Sequence, residues 1–210
     1  MGEVMGDDIE SGSRPAYGSR SDDFAENGIC RVDKTKFLRP LLMGTGSVAA
    51  FTRPHGFGKT FVMSMLRDFL MIDPENPGST KRQERIFKGL EIMEDRNLCA
   101  EFMGRHPVIM ISLGSFAGRS FGEALGNLAA AVSELARGFG FLGRSARLRS
   151  LDRRTLRTLM DTKALLEEKH RIILKNALVS LIPMLFRHFG RRVFVIVDDY
   201  DVPLVVARQN

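Results

Sequence analysis

One segment of the chain has the residue types and spacing of a phosphate-binding loop. It consists of Arg53, Pro54, His55, Gly56, Phe57, Gly58, Lys59 and Thr60. Loops of this kind direct successive backbone N–H groups toward phosphate oxygens, while the lysine adds positive charge and the hydroxyl after it can bind Mg²⁺. We therefore expect the segment to bind nucleotide phosphates, with Lys59 as a catalytic charge and Thr60 as a metal ligand.

The neighbours of this segment favour the phosphate-binding interpretation. An apolar run over residues 48–51 predicts a strand before it, and residues 61–66 predict a helix after it. The strict phosphate-loop pattern has glycine at the position of Arg53, so the alternative is an ordinary glycine turn between a strand and a helix. His55 could contact phosphate when protonated, or it could act only as a spacer.

A second segment supplies carboxylates at the end of a predicted buried strand. Residues 193–197 are all apolar and run directly into Asp198 and Asp199. Such a run is typical of a strand covered on both faces of a parallel sheet, and ligands bind at the carboxyl ends of these strands. This is the form of a Walker B strand, in which Asp198 would bind Mg²⁺ and Asp199 would orient the attacking water. The alternative is a solvated acidic turn after a core strand.

Together these segments resemble the predicted AAA-ATPase-like family of bacterial proteins. The similar landmarks are Val-Asp-Lys-Thr at residues 32–35, Arg-Pro and Phe-Gly-Lys-Thr within residues 53–60, and the segments at residues 87–92, 106–109 and 197–204. The resemblance extends over about residues 24 to 207, and an Arg-Pro opening of the phosphate loop is usual in that family. It implies a P-loop NTPase-like domain that binds ATP with Mg²⁺.

Three residues, at two places in the chain, differ from the pattern of that family. The family usually has Glu where this chain has Asp199, which is one methylene shorter, and commonly has two arginines where it has His55 and Gly56. A misplacement of about 1 Å can cost on the order of a hundredfold in rate. The resemblance therefore implies ATP binding more directly than hydrolysis. The alternative function is a non-hydrolysing remnant that binds nucleic acid or a partner protein through basic helices.

The order of the elements predicts an α/β fold with a parallel sheet flanked by helices. Apolar runs predict strands at residues 48–51, 108–113 and 193–197, separated by helical segments. Residues 1–23 are rich in Gly, Ser and Asp and predict a flexible tail, and residues 24–210 form the predicted domain.

The resemblance also implies that this sheet is incomplete. In such ATPases the strand after Walker B lies between the phosphate-loop strand and the Walker B strand. The sequence stops at Asn210, and its three predicted strands leave that central position unfilled. We therefore expect the chain to be the N-terminal part of a longer protein, which in this family often carries a nuclease-like domain of the PD-(D/E)XK type.

Helical segments are predicted between the strands. The helix after the phosphate loop should end before Asp73 and Pro74, because the residue before a proline avoids helical geometry. Further helices are predicted at residues 81–87 and 121–137, with one long helix from about residue 162 to 189, bent near Pro183 and ended by Gly190. Asp33 and Thr35 should cap a short helix through Met43, or alternatively belong to a nucleotide-facing lid.

Composition narrows the class of protein. The chain of 210 residues is 44% hydrophobic and 27% charged, as is ordinary for a globular domain. Its longest apolar runs are shorter than the roughly 18 residues of a membrane-spanning helix, so we expect no membrane span. The N-terminal residues lack the basic segment and apolar stretch of a secretory signal, so we expect a cytoplasmic location. Cys30 and Cys99 have no second Cys or His at metal-ligand spacing and are predicted to be ordinary reduced thiols.

Positive charge is concentrated between residues 137 and 192. This region has fourteen Lys or Arg and four Asp or Glu, against a net charge of +6 for the whole chain. Such a surface could bind nucleic acid through its phosphates, or it could be a solvated helix surface or a contact with an acidic protein partner. Residues 137–144 partly match an RNA-recognition signature, but we expect a loop with Phe139 and Phe141 buried.

Overall fold

The computed structural model describes residues 33–44, 48–50, 52, 58–116, 118, 120–202 and 205. Within these ranges the protein is mostly helical, with one small parallel sheet of two strands. The predicted tail at residues 1–23 lies outside them. The helices and strands are α1 (Leu38–Met43), α2 (Lys59–Leu70), α3 (Lys81–Ile86), α4 (Arg96–Phe102), β1 (Val108–Ser112), α5 (Phe121–Gly138), α6 (Ser150–Leu159), α7 (Thr162–Leu166), α8 (Arg171–Lys175), α9 (Ala177–Phe189) and β2 (Phe194–Asp198).

The two strands are those predicted from the second and third apolar runs. They pair in parallel, with Val108 beside Phe194 and Ser112 beside Asp198. A parallel pair needs a long crossover connection, and here the connection contains α5 to α9. The register places the carboxyl ends of both strands, and hence Ser112 and Asp198, at the same edge of the sheet.

Helices cover both faces of this sheet. Successive side chains of a strand point to opposite faces, so each strand contributes apolar side chains to both sides. On one face Ile109 packs into an apolar cluster formed mainly by α5 to α9. On the other face Val108 and Ile196 pack into a second cluster that includes α1, α2 and α4. The sheet is therefore the middle layer between two apolar cores, which explains why both strands are nearly continuous apolar runs.

Helix α2 runs along the sheet in the direction opposite to the strands. Its second residue, Thr60, contacts Asp198 at the carboxyl end of β2. Its last residue, Leu70, accepts a hydrogen bond of 2.9 Å from the N–H of His106, just before β1. The 12 residues of α2 extend about 18 Å, close to the length of a strand of five residues. Val62 and Phe69 are among its buried residues, as an amphipathic helix requires.

The strand predicted at residues 48–51 is not present in its described part. Residues 48–50 belong to no strand, and Val48 is 87% exposed. Phe51 lies outside the described residues. An apolar run has high β-propensity, but a strand forms only where a neighbouring strand accepts and donates its backbone hydrogen bonds. No such neighbour pairs with residues 48–50 in the part of the chain that the structure describes.

The single long helix predicted over residues 162–189 is also wrong. The structure has α7, a 3₁₀ turn at Glu168–His170, α8 and α9 instead, and the bend of 58° lies between Lys175 and Ala177, not at Pro183. Leu165, Leu174 and Leu181 are all buried in the same cluster. In a straight helix these leucines would be spread over about 24 Å, so the breaks allow all three to reach one core. Gly190 ends α9 with φ 66°, as predicted.

Phe139 and Phe141 do not lie on a strand. Phe139 follows α5, and Phe141 belongs to a 3₁₀ helix at Gly140–Arg144. Both rings are half-buried and pack against the apolar cluster around α9, where Phe141 lies 5.8 Å from the ring of Phe189. The RNA-recognition interpretation of this segment is therefore wrong, and the predicted loop is a short helix.

Several arginines of the basic region at residues 137–192 form hydrogen bonds or ion pairs with other residues of the same region. Arg147 donates to the His188 carbonyl at 2.8 Å, and Arg153 donates to the Ser145 carbonyl at 2.7 Å. Arg187 lies 2.6 Å from the Asp152 carboxylate. These contacts favour the interpretation of a structural and solvated helix surface. Binding of nucleic acid or of an acidic protein by this region stays a prediction.

In the described ranges, no single helix has the length and hydropathy of a membrane span. Residues 168–175 and 177–189 meet those criteria only together, as the bent pair described above. Cys99 is a free thiol whose Sγ donates to the Ile92 carbonyl at 3.3 Å, and burial raises its pKa. Cys30 lies outside the described residues.

The buried His106 predicts a stability that falls in mild acid. Burial lowers its pKa below the ordinary value of about 6.5 and outweighs the hydrogen bond with the Arg192 carbonyl. The unfolded chain therefore binds the proton more readily, and the stability present above pH 6.5 decreases as the pH falls below it. We expect a lower Tm at pH 5.5 than at pH 7.5. The change should be smaller in His106→Phe, and an equal change in both proteins would contradict the role of His106.

Candidate functional site

The structure describes the last three residues of the predicted phosphate loop. Gly58 has φ 74° and ψ 31°, a left-handed conformation that glycine adopts without strain, and α2 begins at the next residue, Lys59. Lys59 and Thr60 thus lie in the first turn of a helix, where backbone N–H groups have no partner within the helix. The rest of the predicted loop lies outside the described residues: Arg53, Pro54, His55, Gly56 and Phe57.

The two predicted metal ligands are in direct contact. The Thr60 hydroxyl donates a hydrogen bond of 2.7 Å to Oδ2 of Asp198, across 138 positions of sequence. Asp198 is the last residue of β2 and is only 2% exposed. Its other oxygen, Oδ1, accepts a hydrogen bond of 3.0 Å from the N–H of Asp199. The strand end and the helix start therefore present a hydroxyl and a carboxylate at one place.

Asp199 is held by a serine that the sequence analysis did not identify. Ser112, the last residue of β1, donates a hydrogen bond of 2.8 Å to Oδ2 of Asp199. Asp199 has φ 51° and is the only residue other than glycine with a positive φ in the described ranges. Aspartate tolerates this left-handed conformation better than most residues. The turn out of β2 and the contact with Ser112 together set the direction of the carboxylate.

Gly114 was also missed, and its role is to leave space beside Asp199. A Cβ atom at Gly114 would lie 3.0 Å from Oδ2 of Asp199, and the Gly114 N–H lies 3.2 Å from Oγ of Ser112. One feature of the sequence could have identified Ser112 as a residue of the site. Ser112 is a polar residue at the end of an apolar run, where parallel sheets carry their functional side chains.

A cavity of about 150 Å³ joins these groups on one side of the molecule. Its lining includes both Lys59 and Asp198, so the predicted phosphate loop and the end of β2 border the same space. The other lining residues are Thr52, Met63, Val197, Asp199, Tyr200 and Asp201. Pockets for whole ligands usually measure about 300–1,000 Å³, so this volume suits a phosphate group with a cation.

A larger cavity of about 620 Å³ lies near the other end of α2. Met71, Asp73 and Gln83 are among its lining residues, and it includes no residue of the predicted loop or of the strand ends. The smaller cavity is therefore the candidate functional site.

The donor atoms of this site fit Mg²⁺ bound together with phosphate. Mg²⁺ takes oxygen ligands and is usually held by one or two carboxylates, water and substrate phosphates. The Thr60 hydroxyl and the Asp198 carboxylate supply two such oxygens. In the described part of the chain, no group of three His, Cys, Asp or Glu side chains could hold a metal ion without other ligands.

Comparison with known families and proteins gives one result. Residues 19–210 match the profile of the AAA-ATPase-like family, which is described as Predicted AAA-ATPase. A search of curated proteins and a search of solved structures returned no match.

The hydrogen bond between Thr60 and Asp198 predicts a stability difference between two variants of Thr60. Thr60→Val keeps the shape of the side chain but removes the donor to a buried carboxylate, and should lower the free energy of unfolding by about 1–2 kcal/mol. Thr60→Ser keeps the hydroxyl and should stay close to wild type. Urea unfolding without nucleotide measures both, and equal stability of the two variants would contradict the contact.

Proposed function

The chain belongs to the AAA-ATPase-like family, and on that premise we propose that it is a P-loop domain that binds ATP with Mg²⁺ and supports its hydrolysis. Membership of the family implies the P-loop fold, the nucleotide and the metal ion. The contact of 2.7 Å between Thr60 and Asp198 is the observation that carries the proposal, because it unites the two motif segments.

Each residue of the site has a distinct role in this proposal. Lys59 neutralises phosphate charge, and the N–H groups of the first turn of α2 donate to phosphate oxygens. Thr60 and Asp198 supply oxygen ligands for Mg²⁺, directly or through water. The bound metal ion would stabilise the negative charge that develops on the transferring phosphoryl group. Phosphoryl transfer depends chiefly on such positioning and charge stabilisation, which these groups provide without covalent chemistry.

Asp199 is the proposed water-positioning residue. Asp199 directly follows Asp198 in the chain and lines the same cavity as Lys59. Ser112 holds one of its oxygens at 2.8 Å, which restricts rotation of the side chain. This restriction matters because an attacking water must be held in line with the leaving group.

The nucleotide-binding part of the proposal predicts a strong effect of Lys59→Ala. Loss of the ammonium group should weaken binding of a fluorescent ATP analogue with Mg²⁺ by at least tenfold, since charge-assisted contacts to phosphate are among the stronger interactions at such sites. Lys88→Ala, at an exposed turn distant in sequence from the phosphate loop and from the aspartates after β2, serves as the control and should bind as wild type does. If wild type and Lys59→Ala bind equally well, the proposal is wrong.

If Asp199 positions the attacking water, a change at this residue should reduce ATP hydrolysis without weakening ATP binding. Asp199→Asn keeps the size of the side chain but removes its charge, and should reduce phosphate release by on the order of a hundredfold while leaving the Kd for ATP within about twofold. Asp201→Asn, which alters another carboxylate of the same cavity, should retain most of the turnover. Equal losses in the two variants would contradict a specific role of Asp199.

A further inference from the structure

The side chain of Lys34 reaches the start of α2. A Cβ atom at Gly58 would lie 2.8 Å from Nζ of Lys34 and 4.0 Å from its Cε. The ammonium group therefore packs against the backbone of the last residue of the phosphate loop. Lys34 is half-buried, and the segment around it comes from the chain well before the loop.

The residues on either side of Lys34 are anchored to another part of the fold. Asp33 accepts hydrogen bonds from the Thr35 N–H at 2.8 Å, from the Thr35 hydroxyl at 2.6 Å and from the Glu91 N–H at 2.8 Å. The Thr35 hydroxyl accepts from the Ile92 N–H at 3.2 Å. The predicted helix capping by Asp33 and Thr35 is not observed, because the cap positions of the 3₁₀ turn at Thr35–Phe37 and of α1 are Lys34 and Phe37, and neither makes a side-chain capping hydrogen bond. The contacts of Asp33 and Thr35 instead anchor the backbone around Lys34 to residues 91 and 92.

The pKa of Asp33 agrees with this anchoring. Burial acts to raise it, but the hydrogen bonds from Glu91 and Thr35 outweigh burial, so the pKa lies below its ordinary value. The carboxylate is charged at neutral pH and holds both of its partners.

Two sources of positive charge consequently meet beside Gly58. They are the ammonium group of Lys34 and the N-terminal end of the 12-residue helix α2, whose first residue is Lys59. A cation at a helix N-terminus is unfavourable, since the helix dipole carries partial positive charge there. A polyanion bound at this place is attracted both by the ammonium group and by the helix end.

We propose that Lys34 is a second phosphate-binding residue of the site, whose ammonium group binds the phosphate chain of the nucleotide together with Lys59. The inference rests on the proposed function, because it assumes that the loop binds a nucleoside triphosphate. Since the attraction is electrostatic, it is larger for ATP than for ADP, which carries one negative charge fewer.

The test compares charge-removing and charge-keeping variants. Lys34→Met keeps the aliphatic stem and removes the charge, and should weaken Mg·ATP binding by about tenfold and Mg·ADP binding by less. Its Kd should also depend less on ionic strength than that of wild type. Lys34→Arg keeps the charge and should recover most of the affinity. Lys36→Met is the matched control, because Lys36 lies two residues away and is paired with Glu91 at 3.2 Å.

The outcomes separate this inference from the proposed function. If wild type binds no ATP, the proposed function fails. If wild type binds ATP and Lys34→Met binds it equally well, Lys34 has no part in the site while the proposed function stands. If Lys34→Met weakens ATP and ADP binding equally with an unchanged dependence on ionic strength, Lys34 only supports the loop, and the inference is overturned. Circular dichroism at 222 nm verifies that each variant is folded.

Discussion

The arrangement of the site depends on a buried carboxylate at the end of a strand. Asp198 is almost completely enclosed, and a buried charge is costly unless polar groups surround it. The Thr60 hydroxyl is one of the groups that meet this requirement, and it lies in the first turn of α2. Because Lys59 precedes Thr60 directly, the same hydrogen bond also determines where the ammonium group lies. One polar contact thereby joins the start of α2 to the end of β2.

The layers of the fold support that contact from both sides. The sheet has an apolar cluster on each face, so its strands cannot shift without exposing one core or the other. The parallel register places Ser112 beside Asp198, and from there the serine reaches the neighbouring Asp199. Rigid apolar layers thus hold a polar edge at which three aspartates and one lysine line a small cavity. The negative charge of this edge suits a divalent cation that accompanies phosphate.

Apolar patterns within short stretches of sequence correctly predicted several helices and strands. Periodic apolar positions located α2 and α5, and the continuous runs located β1 and β2. The predictions failed where contacts between residues far apart in the sequence determine the secondary structure. Residues 162–189 are helical almost throughout, but three leucines must reach one core, so the helix is broken at two places. Residues 48–50 have the composition of a strand, but a strand requires a partner that no local pattern supplies.

By itself, the sequence determined the family and the chemical types at the site: a lysine and a hydroxyl after a glycine loop, and a carboxylate pair after an apolar strand. These follow from short motifs, whose chemistry depends on spacing along the chain. Only the tertiary structure decided which other groups join them. Ser112 meets Asp199 across 87 positions, and Lys34 reaches Gly58 from an earlier segment. Such contacts between residues far apart in the sequence depend on strand register and on the packing of helices. Neither can be predicted from a short run of residues.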